Sequence, residues 1–263
     1  MVDLDSMMQK LLSGLRRKPG PPPRARLKLD VADTLIYAVG DVHGCLDELV
    51  ALERAIVADA AGFSCRKLIV MLGDYVDRGP ASSQVLDHLI APPPAGFERI
   101  CLAGNHELLM LDYLEERASL AKWVGLGGGA TLLSYGIDQE RLRMVYRDTT
   151  AIDRMIRESV PASHRMFLKH LPILVEIADF ILVHAGIRPG IAIEAQSDVD
   201  LVTIRGAFYD AARLLDRYVI HGHTPVKEPA RDGRRVNIDT GAYFSGRLTA
   251  LRIWNHKGRY LTN

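Results

Sequence analysis

Five apolar runs in this chain end in residues that can hold a cation. LIYAV (35–39) leads to Asp41 and His43 in GDVHG. KLIVML (67–72) leads to Asp74 in GDYVDRG, with Asp77 and Arg78 just beyond. ERICLA (98–103) leads to Asn105 and His106 in GNHE. FILV leads to His184 in HAG, and YVI leads to His221 and His223 in GHT. Each case alone is weak, because Asp, Asn and Gly are turn residues and a single histidine more often packs as a structural residue. The weight lies in the same kind of residue recurring at the same kind of position. Oxygen and imidazole donors without a thiolate suit Mn²⁺, Fe²⁺ or Zn²⁺. Asp41, His43 and Asp74 could hold one ion; Asp74, Asn105, His184 and His223 could hold a second. A shared Asp74 would keep the ions about 3.5–4 Å apart, a spacing that serves in-line displacement at phosphorus. Two cations would also offset the repulsion between Asp41 and Asp74.

These residues need elements that bring strand ends together. After LIYAV, the segment LDELVALERAIV (46–57) places Leu46, Leu49, Val50, Ile56 and Val57 on one helical face. SSQVLDHLI (82–90) turns Val85, Leu86, Leu89 and Ile90 inward, and a further helix follows GNHE. This β-α-β-α-β-α rhythm predicts parallel strands with right-handed crossovers. In such sheets ligands gather at the carboxyl ends of strands. Residues 117–170 read as mostly helical, with Gly125, Gly127, Gly128 and Gly129 forming a turn or lid segment. That cluster lacks the lysine and preceding strand of a phosphate loop. ILVEIA and FILVHA predict a hairpin around Asp179. RRVNID and RLTALRIW predict antiparallel strands joined through TGAYFSG.

Taken in order, GDVHG, GDYVDRG, GNHE, HAG and GHT resemble the metallophosphoesterase (calcineurin-like) superfamily. The resemblance spans about residues 35–248, and GDYVDRG with GNHE looks like its bacterial and phage-type phosphoprotein phosphatase branch. It implies an α/β fold, a four-layer αββα sandwich of two mixed sheets flanked by helices, with a helical lid. It implies a dinuclear site, most simply Mn²⁺ with Fe or Zn as alternatives, bridged by Asp74, and attack on phosphorus by hydroxide held between the ions. It assigns His106 as the acid, Asp77 as its orienting carboxylate, and Arg78 and Arg205 as phosphate clamps. Arg205 lies in LVTIRGAF, where Thr203 stands in place of the family's frequent aromatic residue. Pro225 occupies the position of the second histidine in the GHxH of many relatives, so His223 is the expected ligand and His221 a structural or supporting residue.

The leading expectation is a serine/threonine protein phosphatase acting on a phosphorylated protein or small phosphoester. Its rival is a dinucleoside polyphosphate hydrolase; an inactive phosphate-binding scaffold is the reading from another class. The 263 residues carry a formal net charge of +1, which makes no bulk case for nucleic acid. Cys45, Cys65 and Cys101 match no zinc spacing and read as free thiols of a cytoplasmic protein. No apolar run reaches spanning length, and the start does not look like a secretory signal. Residues 1–30 read as an extension: a loosely packed tail over 1–18 that could form a short amphipathic helix, with weak docking on a partner or membrane as the alternative, then the stiff PGPPP linker.

Overall fold

A computed structural model describes residues 22–263 apart from 32 and 147. The tail over 1–18, with its alternative of a docking helix, and most of the proline-rich linker lie outside the described residues. The first sheet has five strands in the order β11-β10-β2-β3-β4. β2 (Thr34–Val39), β3 (Arg66–Met71) and β4 (Glu98–Cys101) run parallel, with Val39 opposite Met71 and Met71 opposite Cys101. α1 (Leu46–Ala60) and α2 (Ser82–Ile90) are the crossovers, and α3 (Asn105–Leu114) follows β4. The second sheet has six strands in the order β1-β5-β6-β7-β9-β8. In it β5 (Leu174–Ile177) and β6 (Phe180–Val183) form the expected hairpin, Ile177 facing Phe180. β6 continues parallel to β7 (Tyr218–His221). β1 (Arg26–Leu29), counted with the extension in the sequence, pairs parallel to β5 and closes the edge.

Alternation of side chains explains the layers. Ile36, Ala38, Leu68 and Val70 meet Val175, Leu182 and Ile220 between the sheets. Their sequence neighbours Leu35, Tyr37, Val39, Ile69 and Met71 point the other way, onto α1, α2 and α3. Ile181, Val183 and Val219 turn outward from the second sheet onto α9 (Asp198–Thr203) and α10 (Gly206–Asp210), through Leu201 and Phe208. Strands buried on both faces must be apolar at every position, so these runs show no polar alternation. The sandwich of two sheets between helices is as the sequence implied. Two helix positions differ: Val57 and Ile90 are 42% and 41% exposed. Each lies at the edge of its apolar stripe, where a 3.6-residue period leaves a residue half turned to solvent.

A larger correction concerns RRVNID and RLTALRIW. β9 (Arg235–Asn237) pairs with β7 and with β8 (Ala230–Asp232), in the six-stranded sheet. β10 (Thr249–Trp254) pairs with β2 and with β11 (Lys257–Thr262), in the five-stranded one. TGAYFSG is therefore a bridge between sheets carrying the short helix α11 (Ala242–Ser245), not a hairpin turn. Strand pattern alone cannot choose the sheet, because the inner strands of both sheets are buried on both faces.

The 117–170 segment is helical, as expected: α4 (Leu120–Trp123), a π-type turn (Val124–Gly128), α5 (Gly129–Ser134), α6 (Gln139–Val145), α7 (Thr149–Ser159) and α8 (Ala162–His170). Its inner face is built into the helix-side core through Trp123, Leu132, Ile152, Ile156 and Leu168. Burial of each such side chain is worth about 1.5–3 kcal/mol, enough to hold the segment against the domain.

Candidate active site

The loops after β2, β3 and β7 carry the candidate residues in a backbone conformation that L-amino acids avoid. φ is positive at His43 (46°), Asp74 (51°), Asp77 (72°), Arg78 (70°) and His223 (68°). A left-handed residue costs about 1–2 kcal/mol, so other contacts must enforce it. The amides of Val42 and His43 both donate to the Asp74 carbonyl, and Gly44 donates to that of Tyr75. Glu107 completes the clamp: its carboxylate accepts from the amides of Asp74 (2.8 Å), Tyr75 (2.7 Å) and Gly104 (2.8 Å). Burial, then the nearby Asp74, raises the Glu107 carboxyl to about 7. The sequence reading gave this glutamate no role. Its position in the first turn of α3, three residues after Gly104, was the available signal.

The clamped loops bring their donors together. Asp74 Oδ2 lies 3.3 Å from His184 Nε2, 3.5 Å from His43 Nε2 and 3.9 Å from His106 Nε2. His184 Nε2 also faces Asn105 Oδ1 at 3.1 Å and His223 Nδ1 at 3.2 Å. The other nitrogen of His184 donates to the Leu72 carbonyl (3.1 Å), and that of His43 donates to the Val76 carbonyl (2.9 Å). A carbonyl only accepts, so in the neutral rings both Nε2 atoms carry lone pairs. Burial lowers His43 and His223 to about 3, keeping them neutral. Around His184 Nε2, then, gather a carboxylate oxygen, an amide oxygen and a second imidazole nitrogen. Buried acceptors pointed at one another cannot satisfy one another; a cation satisfies all of them.

His43, Asp74 and His106 form one such group and Asp74, His184 and His223 another, Asp74 belonging to both. Asp41 stands slightly apart. Its Oδ2 accepts from the His223 amide at 3.0 Å, and its buried Oδ1 has no hydrogen-bond partner among the described residues. Burial, then Asp239 and Asp74, pushes its carboxyl well above the usual range. Asp239, passed over in the sequence, is itself raised to about 6, chiefly by burial. A pocket of buried carboxylates and imidazoles fits divalent cations, and it is this donor chemistry that supports the fit.

A second constellation adjoins it. His106 Nδ1 is 2.7 Å from Asp77 Oδ2. Asp77 is fully buried, and its carboxylate also accepts from Thr131 Oγ1 (2.7 Å) and Trp123 Nε1 (3.0 Å). Burial favours neutral His106, but Asp74 and Asp77 outweigh it and raise its pKa. Trp123 and Thr131 come from the helical segment and were not singled out in the sequence. A buried indole N–H must find an acceptor, which was the only hint. Losing a hydrogen bond to a charged group costs about 1.5–3 kcal/mol, roughly tenfold or more in rate if the loss is felt at the reacting proton. Trp123→Phe is therefore expected to slow cleavage of an alkyl phosphate about tenfold and of nitrophenyl phosphate about twofold or less, since nitrophenolate leaves without a proton. Equal losses on the two esters would reduce Trp123 to packing.

Residues 34–227 match the family described as calcineurin-like phosphoesterase. The chain belongs to that family. Among curated proteins, the phosphoesterase is 29% identical over 242 residues to the asymmetrical bis(5'-nucleosyl)-tetraphosphatase PrpE of Halalkalibacterium halodurans, covering 82% of this chain and 88% of the relative. It is 26% identical over 240 residues to the protein of that name from Bacillus subtilis, covering 82% and 89%. Among solved structures, one provisionally named a diadenosine tetraphosphatase superposes with a TM-score of 0.64 at 19% identity, over 91% of this chain and 98% of that one. A serine/threonine phosphatase from Saccharomyces cerevisiae gives 0.53 at 15%, over 92% and 83%. At such identities these two show the shared fold.

Of the remaining candidates of the phosphoesterase, Arg78 and Arg205 lie beside the donor groups. Arg78 donates from Nη1 to His43 Nε2 at 3.1 Å, and its guanidinium lies 4.9 Å from the centre of the Tyr243 ring. Its amide donates to the Gly127 carbonyl. Gly127 has φ of 111°, and a Cβ there would press on the Arg78 side chain; this is where the glycine cluster is used. Arg205 is exposed at the start of α10, and its charge reaches His223, contributing to that ring's lowered pKa. His221 does not join either donor group. It is fully buried against Phe208 and Tyr209, its Nδ1 3.0 Å from the Gly222 carbonyl, and burial lowers it to about 3. β7 ends at His221, and the positive φ of His223 breaks the two-residue alternation that would have placed both on one face. Cys45 and Cys101 are buried free thiols pushed up to about 12 by burial, unsuited to nucleophilic work. No helix among the described residues is long and apolar enough to cross a membrane.

Proposed function

We propose that this phosphoesterase hydrolyses dinucleoside tetraphosphates asymmetrically, releasing a nucleoside triphosphate and a nucleoside monophosphate. The similarity to the PrpE proteins, running over 82% of the chain, carries this reading. It displaces the protein phosphatase expected from GDYVDRG and GNHE, since those motifs describe the phosphoryl centre and leave the departing group open.

Asp41, His43 and Asp74 would hold one divalent ion and Asp74, Asn105, His184 and His223 the other, with Mn²⁺ the ion we favour. Bound there, such ions supply a water of lowered proton affinity and positive charge at phosphoryl oxygens. Arg78 and Arg205 bind the non-bridging oxygens, each guanidinium matching two at once. Charge that builds on the transferred group is thereby stabilised before it forms. His106 Nε2 faces the reacting group and gives its proton to the departing oxygen; Asp77 holds the opposite nitrogen and supports the positive ring. For a polyphosphate leaving group that proton is a small aid, because phosphate leaves as a weak base. For a serine alkoxide it is indispensable.

The test compares kcat/KM with Mn²⁺ on diadenosine tetraphosphate, a phosphoserine peptide and nitrophenyl phosphate. The dinucleotide is expected to lead by about tenfold or more, a gap of roughly 1.4 kcal/mol or more at the transition state, with ATP and AMP formed in equal amounts. A lead for the phosphopeptide, or release of two ADP, would overturn the assignment.

A further inference from the structure

The bridge between the sheets places two aromatic rings at the rim of the site. Tyr243 is 38% exposed and Phe244 is 63% exposed. Their rings meet edge to face with centroids 5.0 Å apart. Tyr243 packs edge to face on His43 at 5.3 Å, and the Arg78 guanidinium lies over it. The rings thus begin at the phosphate clamp and lead outward from it. Exposing so much aromatic surface beside a polar centre has a cost in water, and such surfaces mark binding sites.

The loop is built to hold the rings still. Gly241 and Gly246 both have φ of 66°, closing α11 at each end. The Gly241 amide donates to Asp239 Oδ1 at 2.9 Å. Thr240 Oγ1 donates to the Arg247 carbonyl at 2.7 Å, and Ser245 Oγ to the Thr240 carbonyl at 2.7 Å. A Cβ on Gly241 would run into the Phe244 ring, so the ring lies back across its own loop. An outward-facing ring fixed on a short, cross-linked turn has little motion to lose on binding.

We infer that Phe244, backed by Tyr243, is a stacking platform for a nucleobase of the substrate. The inference rests on the dinucleotide reading for its choice of ligand, but its test does not need that reaction. A base offers a flat π-face whatever its identity, so the platform would accept adenine and guanine alike. Arg78 would hold a phosphate while the base of the same substrate lay against Phe244. The ring makes specificity rather than chemistry: it touches the part of the substrate that does not react.

The experiment uses two competitive inhibitors of nitrophenyl phosphate cleavage at matched free Mn²⁺: ATP, which carries a base, and inorganic tripolyphosphate, which does not. Stacking is worth roughly a tenfold change in affinity, so ATP is expected to inhibit the unaltered protein about tenfold more tightly than tripolyphosphate. Phe244→Ala should erase that ratio while leaving tripolyphosphate inhibition within about twofold, and Phe244→Trp should keep the ratio. Equal inhibition by both compounds in the unaltered protein, or a ratio that survives Phe244→Ala, overturns the platform. Should diadenosine tetraphosphate prove a poor substrate while the ratio falls in Phe244→Ala, the proposed activity fails and the base site stands.

Discussion

Asp74→Asn is expected to reduce kcat/KM on nitrophenyl phosphate at least about a thousandfold in the presence of Mn²⁺, because it removes the one carboxylate common to both donor groups. The substitution is close to isosteric. The Asn oxygen can still accept from the His106 amide, which donates to Asp74 Oδ1 at 3.1 Å, so the strained turn keeps its contacts. The loss should therefore be one of charge rather than of fold. A second readout makes the distinction. An ion at a hundredfold excess over its Kd stabilises the folded chain by about 2.7 kcal/mol, or roughly 5–10 °C in melting temperature for a domain of this size. The unaltered protein should show that rise on adding Mn²⁺, and Asp74→Asn should lose most of it. A variant that keeps both the activity and the Mn²⁺-dependent rise would remove Asp74 from the centre of the proposal.

His106→Asn separates proton donation from positioning. Without the imidazole, a phosphoserine peptide should be cleaved about 10²–10⁴-fold more slowly, the usual contribution of a general acid. Nitrophenyl phosphate and diadenosine tetraphosphate should each lose far less, because nitrophenolate and a nucleotide phosphate depart without help. The pattern also bears on the natural substrate: an enzyme working on anhydrides would tolerate the change on its own substrate. Uniform losses across the three would show that His106 serves the donor group it shares with His43 and Asp74, not the leaving group.

Much of this protein was legible in its sequence because the relevant signals are local. A strand buried on both faces has to be apolar throughout, and a strand-to-helix turn gathers Asp74, Asp77 and Arg78 within five residues. The three parallel strands, the helices between them and the hairpin at Asp179 follow from such short-range constraints. So do the nearness of Asp74 to Asn105 and that of His184 to His223, since β3 and β4, and likewise β6 and β7, are parallel neighbours whose carboxyl ends lie at one edge; that the two sheets then face each other and join these pairs is a tertiary choice.

What tertiary structure alone decided are contacts between segments whose separation in the chain says nothing about their separation in space. Trp123 and Thr131 reach Asp77 across 46 and 54 residues, through helices whose apolar pattern shows only that they bury a face, not what that face meets. The TGAYFSG bridge joins two sheets because β9 and β10 found different neighbours, and only that choice sets Tyr243 beside Arg78 and Phe244 at the rim. Periodicity records which side of an element is buried, and motifs record which atoms can react. Neither records which element packs opposite, because that choice is made by the joint fit of all the buried surfaces at once.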